Sequence, residues 1–269
     1  MQQSSYETLL TRFDSGVLHV TLNRPKVRNA MSSAMVEEII AVFNAAGDSG
    51  DVRAMVLHGA GGNFCAGGDI KDMATLLAKA DQEDTTAKMN RRFGDLMLIA
   101  NHAPFAVVVV AEGAVLGGGF GLACVSDIAL AHKDTVFGLP ETGLGIVPAQ
   151  IAPFVVSRVG LTEARRIAML GIRFGATEAQ RIGVVHSVFD SEEKAAEMLE
   201  GILSQVRRCA PGANAITKNL MLDVAHIPLE DILDRASREF AACLSGNEGR
   251  EGTTAFREKR LPSWATEAP

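Results

Sequence analysis

From about residue 17 to residue 190, strand-like and helix-like stretches alternate, and after Ser191 only helical stretches remain. That order constrains the chain most, because strands separated by helices assemble into an α/β domain. Val17 to Leu22 puts Leu18, Val20 and Leu22 on one face and His19 and Thr21 on the other, a strand that stops at Asn23-Arg24-Pro25. Arg53 to His58 reads as a second strand, and Phe105 to Ala111 is a β-branched run suited to burial on both faces. Ile128 to Ala131 and Val184 to Phe189 are shorter strands. Helices are expected from a cap at Ser32 or Ser33 to about Ala46, and over Ile70 to Ala80, Lys88 to Asn101, Gly118 to Val125, Ile151 to Val159 and Thr162 to Leu170. Asp81-Gln82-Glu83-Asp84-Thr85-Thr86 reads as a mobile surface loop. Ser191 caps a helix with Glu192 and Glu193 in its first turn, and Pro228 opens another that Gly246 closes. The expected organisation is an α/β core over residues 1–190 and a helical C-terminal segment over 191–269.

Charge and composition remove several function classes. The chain carries 26 Lys plus Arg against 32 Asp plus Glu, a net charge of −6, with one Trp and one Tyr. Phosphate-backbone binding needs a basic face with stacking aromatics, so nucleic acid is not expected as the partner. The longest apolar run, Ala103 to Ala111, is broken by Pro104 and too short to span a bilayer. Met1 to Phe13 lacks the basic start and apolar centre of a signal peptide, which points to a cytoplasmic, soluble enzyme. Cys65, Cys124, Cys209 and Cys243 show no metal-binding or redox spacing and read as small buried residues. The six histidines are likewise scattered, so no metal site is expected.

Chemistry concentrates in three segments: Phe64-Cys65-Ala66-Gly67-Gly68-Asp69-Ile70-Lys71, Gly113 to Gly121, and Phe137-Gly138-Leu139-Pro140-Glu141. The first two lead from a strand into a helix through glycines. Such turns let a ligand approach the backbone, and a helix start presents unpaired amides with positive dipole character. Two of them aimed at one point make an oxyanion hole, each donor contributing ~2.7–4 kcal/mol to the transition state. A carboxylate beside it can move a proton next to a polarised carbonyl, typically for roughly 10²–10⁴-fold. Enolate formation, or addition of water to a conjugated acyl group, is the implied chemistry. The glycines do not satisfy Gly-x-Gly-x-x-Gly, and no phosphate-binding Lys-Ser/Thr loop or serine elbow is present.

Taken in order, these segments resemble the crotonase, or enoyl-CoA hydratase/isomerase, superfamily. Leu22-Asn23-Arg24-Pro25 with Asn29-Ala30-Met31 and the terminal Glu248-Gly249-Arg250-Glu251-Gly252 and Phe256-Arg257-Glu258-Lys259-Arg260 extend the match over nearly the whole chain. The resemblance implies a spiral of ββα units with a helical C-terminal oligomerisation segment, forming homotrimers or hexamers (dimers of trimers). It implies an acyl-CoA thioester as substrate and no other cofactor, coenzyme A being part of the substrate. By position, Gly68 and Gly118 match the two oxyanion amides and Glu141 matches the second of two family glutamates. Ala66, Asp69 and Ile70 match the segment lining the adenine and pantetheine site. Arg24 and Lys26 match phosphate contacts, and Phe256 and Lys259 match C-terminal residues that reach coenzyme A, often from a neighbouring subunit.

One departure stands out. Two-glutamate hydratases carry their first glutamate where this chain has Gly121, and one acid suits a Δ3-Δ2-enoyl-CoA isomerase. Against that, Gly117 to Leu122, Leu139-Pro140-Glu141 and Ile146 to Val155 resemble bacterial single-glutamate hydratases of branched glutaconyl-type thioesters (3-methylglutaconyl-CoA or its isohexenyl homologue) from leucine and acyclic terpene breakdown. The resemblance therefore implies a hydratase using Glu141. Alternatives are the isomerase and, from another class, a non-catalytic CoA- or RNA-binding member.

Overall fold

The computed structural model describes residues 6–77 and 82–265. Two antiparallel strands open it, β1 (Leu9–Asp14) and β2 (Val17–Leu22), followed by α1 (Ser33–Ser49), β3 (Ala54–Gly59), α2 (Ile70–Leu77) and α3 (Gln82–Asn101). Next come β4 (Ala106–Ala111), β5 (Ala114–Leu116), α4 (Gly118–Val125), β6 (Ile128–His132), β7 (Val136–Gly138) and α5 (Ala152–Leu170). β8 (Arg173–Gly175), α6 (Ala176–Arg181) and β9 (Ser187–Phe189) complete the α/β part, and α7 (Glu192–Arg208), α8 (Pro211–Asp223), α9 (Leu229–Ser245) and α10 (Asn247–Glu258) follow.

The main sheet runs β1-β2-β3-β4-β6-β9, parallel from β2 onward, and a small sheet runs β5-β7-β8. The central strands β3, β4 and β6 are each followed by a short segment of the second layer and then by helix. β4-β5-α4 and β6-β7-α5 repeat that pattern, and Cys65, bridged in parallel to Val115, gives β3 its own second-layer partner. The expected α/β fold of repeated ββα turns with a helical C-terminal segment is met. The principal core fills the space between the two layers, with Phe64, Phe120 and Phe137 fully buried. On the outer face of the large sheet, Val17, Ala54, Val56, Val108, Val110 and Leu130 pack with Leu203 of α7. The buried run Val107 to Val110 of β4 is apolar because both faces are covered.

Several expectations change. Gln82 to Thr86 is the first part of α3 and not a loop, while Asp81 and residues 78–80 of the expected Ile70–Ala80 helix lie outside the described residues. The two helices expected at Ile151–Val159 and Thr162–Leu170 are present, separated within the stretch α5 by the non-helical Gly160 (φ 75°, ψ 160°). The strand expected over Val184 to Phe189 shortens to β9, since Val184 and Val185 donate back to Ala179 of α6. β1 was not expected, because Leu10 and Phe13 are exposed and blur its alternation. Cys65 and Cys124 are buried as expected, but Cys209 is exposed and Cys243 half-buried. The capping expectations fall on Ser32, which accepts from Met35 N at 3.3 Å, and Ser191, which accepts from Lys194 N at 3.2 Å. Among the described residues no helix is long and apolar enough to cross a membrane.

Candidate active site

The site begins where β3 ends. After one turn at Ala60–Gly62 the chain runs beside β5: Phe64 N donates to Glu112 O, Cys65 N to Ala114 O and Leu116 N back to Cys65 O, at 2.8, 2.8 and 2.9 Å. That pairing carries the two glycine turns out of the sheet side by side. Gly67 (φ 101°) and Gly117 (φ 49°) take backbone conformations that disfavour side chains, and a Cβ on Gly117 would stand 3.5 Å from Gly67 Cα. The following residues, Gly68 and Gly118, lie at the starts of α2 and α4. Neither N–H donates to an acceptor in the chain among the described residues.

Glu141 completes the cluster. Pro140 and a single 3-10 turn over Glu141–Leu144, closed by left-handed Gly145, bring it beside the second glycine turn, which is tied down by Gly117 N donating to Gly138 O at 3.1 Å. Glu141 Oε1 lies 2.9 Å from where a Gly117 Cβ would be. Its Oε2 is buried with no hydrogen-bond partner, and burial raises the carboxyl above the usual glutamate range, its own amide opposing slightly. A half-buried acid of that kind is easier to protonate than a surface glutamate and exchanges protons nearer neutrality. The structure thus brings Gly68, Gly118 and Glu141 together.

Around Gly118 the wall is apolar: a Cβ there would meet Phe93 Cζ at 3.0 Å and Met31 Sδ at 3.1 Å. One helical turn on, the space beside Gly121 is filled by Ile151, whose Cβ is 3.2 Å from a Cβ built on Gly121, and by Met97 Sδ at the same distance. The place of the absent acid is therefore packed with hydrocarbon and sulfur.

The residues matched to coenzyme A binding divide into three groups. Asp69 and Arg24 hold each other, Arg24 Nη2 donating to Asp69 Oδ2 at 2.8 Å, while Asp69 Oδ1 accepts from Lys71 N at 2.9 Å and so caps α2. Ala66, whose N–H donates to Arg28 O at 3.0 Å, and Ile70, 73% exposed, flank that pair beside Gly68. Lys26 is exposed on the short turn Pro25–Val27. Phe256 and Lys259 are not brought to the cluster. They are exposed at the end of α10, whose Gly252 packs on Trp264; Trp264 O accepts from Arg53, at the start of β3 and thus at the opposite end of the strand from the glycine turns.

Two asparagines matter that the sequence reading had not given a role. Asn29, fully buried at φ 55°, accepts from Arg24 N and donates to Ala60 O and Asn63 O at 2.8, 2.9 and 2.6 Å. Asn63 Oδ1 accepts from Ala114 N at 3.1 Å, locking the first turn to β5. Asparagine's tolerance of left-handed backbone beside an Arg-Pro turn was the available signal for the first.

Comparisons with known proteins identify the family. The sequence pattern of the family described as "Enoyl-CoA hydratase/isomerase" matches residues 12–267. The chain is 56% identical to Pseudomonas aeruginosa AtuE, with a TM-score of 0.93 over 97% of this chain and 100% of that one. An enoyl-CoA hydratase/isomerase structure from Marinobacter aquaeolei is 50% identical, with a TM-score of 0.93 over the same shares. The 2,3-dehydroadipyl-CoA hydratase of Escherichia coli K12 is 30% identical over 92% of this chain and 94% of its own length.

Proposed function

The chain belongs to the enoyl-CoA hydratase/isomerase family, and from that premise we propose that it adds water across the α,β double bond of an acyl-CoA thioester with Glu141 as its acid and base. The observation that carries the reading is the convergence of Glu141 on the paired turns Gly67-Gly68 and Gly117-Gly118. The thioester carbonyl accepts from the Gly68 and Gly118 amides, which draws electrons from the conjugated system and makes C3 electrophilic. Glu141 as carboxylate takes a proton from water as the oxygen bonds to C3, and the electron pair of the double bond moves to the enolate. The proton then held by Glu141 passes to C2, the enolate collapses and the 3-hydroxyacyl thioester results. The sum breaks the C=C π bond and one O–H bond of water and forms a C–O bond at C3 and a C–H bond at C2, with coenzyme A entering as part of the substrate. Arg24, Lys26, Ala66, Asp69 and Ile70 are proposed to hold the coenzyme.

The acyl group is proposed to be a branched glutaconyl type, on the resemblance carried by Gly121, Leu139-Pro140-Glu141 and Ile146 to Val155. In that reading the substrate's own distal carboxylate helps order the water that a second glutamate would otherwise hold. Comparing turnover of a glutaconyl-type thioester with that of linear enoyl thioesters tests the assignment, and a preference for the linear ones sinks it. The packing of Ile151 and Met97 onto Gly121 favours a second reading, a Δ3-Δ2-enoyl-CoA isomerase that shuttles one proton on Glu141. Product analysis separates the two, since only the hydratase forms a 3-hydroxyacyl product.

Assembly into homotrimers or hexamers is also proposed. Leu229, Leu233 and Phe240 of α9 are 69%, 59% and 69% exposed, which supports burial against another copy. Since α10 lies far from the chain's own glycine turns, Phe256 and Lys259 could meet coenzyme A only at a neighbour's site. Light scattering on the purified protein checks this, and a monomer at micromolar concentration overturns it.

A further inference from the structure

Beyond Gly118 and Gly121, the wall formed by α3 and the segment before α5 ends in a polar cluster. Phe93 touches the position of Gly118 and Met97 that of Gly121. Between them Gly94 is buried in the interior of α3, where glycine is a poor helix former. Its neighbours supply the reason. A Cβ at residue 94 would overlap the carboxamide of Gln150, whose Cδ is 3.0 Å away, and would stand 2.8 Å from Arg91 Nη1. Gln150 Nε2 donates to Asn90 Oδ1 at 2.9 Å. Asn90 and Arg91 lie four and three residues before Gly94, so one turn of α3 and the residue preceding Ile151 meet over a bare stretch of helix.

We propose that Arg91, with Gln150 oriented by Asn90, is the subsite for a carboxylate at the distal end of the acyl group, and that Gly94 keeps the space in which they converge. The inference rests on the reading of Glu141, Gly68 and Gly118 as a thioester-hydrating site. A thioester held there by its carbonyl meets half-buried Phe93, which suits hydrocarbon, and beyond it a guanidinium and a carboxamide, which do not. A planar guanidinium takes a carboxylate through two parallel N–H bonds, and the carboxamide N–H is a further donor. Arg91 is open to recruitment: it pairs with Asp95 at 2.7 Å, with side chains 56% and 36% exposed, and such exposed pairs exchange readily. Arg92, by contrast, grips Glu37 through two bonds of 2.7 Å and is committed to holding α3 on α1.

The test measures kcat and KM on a pair of CoA thioesters that differ only at the distal group, the free acid and the mono-methyl ester of a branched glutaconyl-type acyl chain. Wild-type protein is expected to favour the acid in kcat/KM. Arg91→Met and Gln150→Leu are each expected to reduce that acid-over-ester preference in kcat/KM on the order of tenfold, with Arg91→Lys keeping part of it. Thermal melts verify that each variant is folded; Arg91 is exposed, so its variants serve even if Gln150→Leu fails. A preference retained in full by folded Arg91→Met overturns the subsite and leaves the hydratase reading intact. Hydration of acid and ester at equal rates by the wild type overturns both the subsite and the glutaconyl assignment. No 3-hydroxyacyl product from any thioester overturns the hydratase reading itself, and the subsite with it.

Discussion

Ile151 stands over Gly121: its Cβ lies 3.2 Å from a Cβ built on the glycine, with its Cγ2 closer still. The missing acid is thus a packing arrangement as well as a substitution. Gly121→Ala is expected to gain helix propensity but overpack the core, a net destabilisation of roughly 1–2 kcal/mol by chemical denaturation. Gly121→Glu alone is expected to cost more, because it buries an acid against Met97 and Ile151. Pairing it with Ile151→Ala should recover part of that loss, a non-additivity that a double-mutant cycle reads directly.

Glu141→Gln is expected to lower kcat by about 10²–10⁴-fold while leaving thioester binding within a few-fold. The amide is isosteric and can neither take nor return the proton. Stopped assays and equilibrium binding with a saturated acyl-CoA check this. Residual kcat within tenfold of wild type would move the proton transfers to another group.

The raised Glu141 carboxyl has two signatures of opposite use. Since water is activated by the ionised form, the acid limb of kcat/KM should fall at a pH above the ordinary glutamate value of 4.5. For stability, a carboxyl harder to ionise in the folded chain disfavours folding once pH exceeds its unfolded value, and that penalty is absent below it. Glu141→Gln should therefore raise the denaturation midpoint at pH 7 and have little effect at pH 4. An equal shift at both would assign the gain to packing.

His58 gives the reverse dependence for a base. Burial, then His19 and Arg12, lower it from 6.5 to about 4, and its ring stacks on His19 with centroids 5.9 Å apart. The stability it contributes is complete above 6.5 and lost as pH falls from there towards 4, on the order of 2–3 kcal/mol. His58→Gln should flatten the fall of urea midpoints across that window.

Legibility in the sequence follows the range of the interactions. Strands β2, β3 and β4 and the caps Ser32 and Ser191 were readable because periodicity and capping are local. β1, β5, β7 and β8 were not: they are short or partly exposed, and exist because a partner strand satisfies their backbone. Gln82 to Thr86 looked like a loop because its polar side chains carry no apolar stripe, yet it continues into a helix anchored by Leu96, Met97 and Ala100. At the site, the glycine turns and Glu141 stood out as motifs. Their meeting, the clasp of Asn29 and Asn63, and Ile151 filling the place beside Gly121 depend on contacts between residues 24 to 51 positions apart, which no local pattern carries.

Asp69 adjoins Gly68, so its bonds aim that amide. Burial works against its charge, but the hydrogen bond from Arg24 and those from the Lys71 and Asp72 amides outweigh it and hold the carboxyl below the usual aspartate range. Asp69→Asn removes the charge that Arg24 faces and weakens the cap of α2. It is expected to cost about 1–3 kcal/mol and, through a misplaced Gly68 amide, to lower kcat more than it raises KM. A depressed aspartate contributes its stability above the unfolded value of 3.8 and loses it only as pH falls through the lower folded value. The difference in urea midpoint between wild type and Asp69→Asn should accordingly stay level from pH 5 to 8, unlike those of Glu141 and His58. A difference that changes across that range would show that Asp69 is not held ionised by Arg24, and would remove it as the residue that positions Gly68.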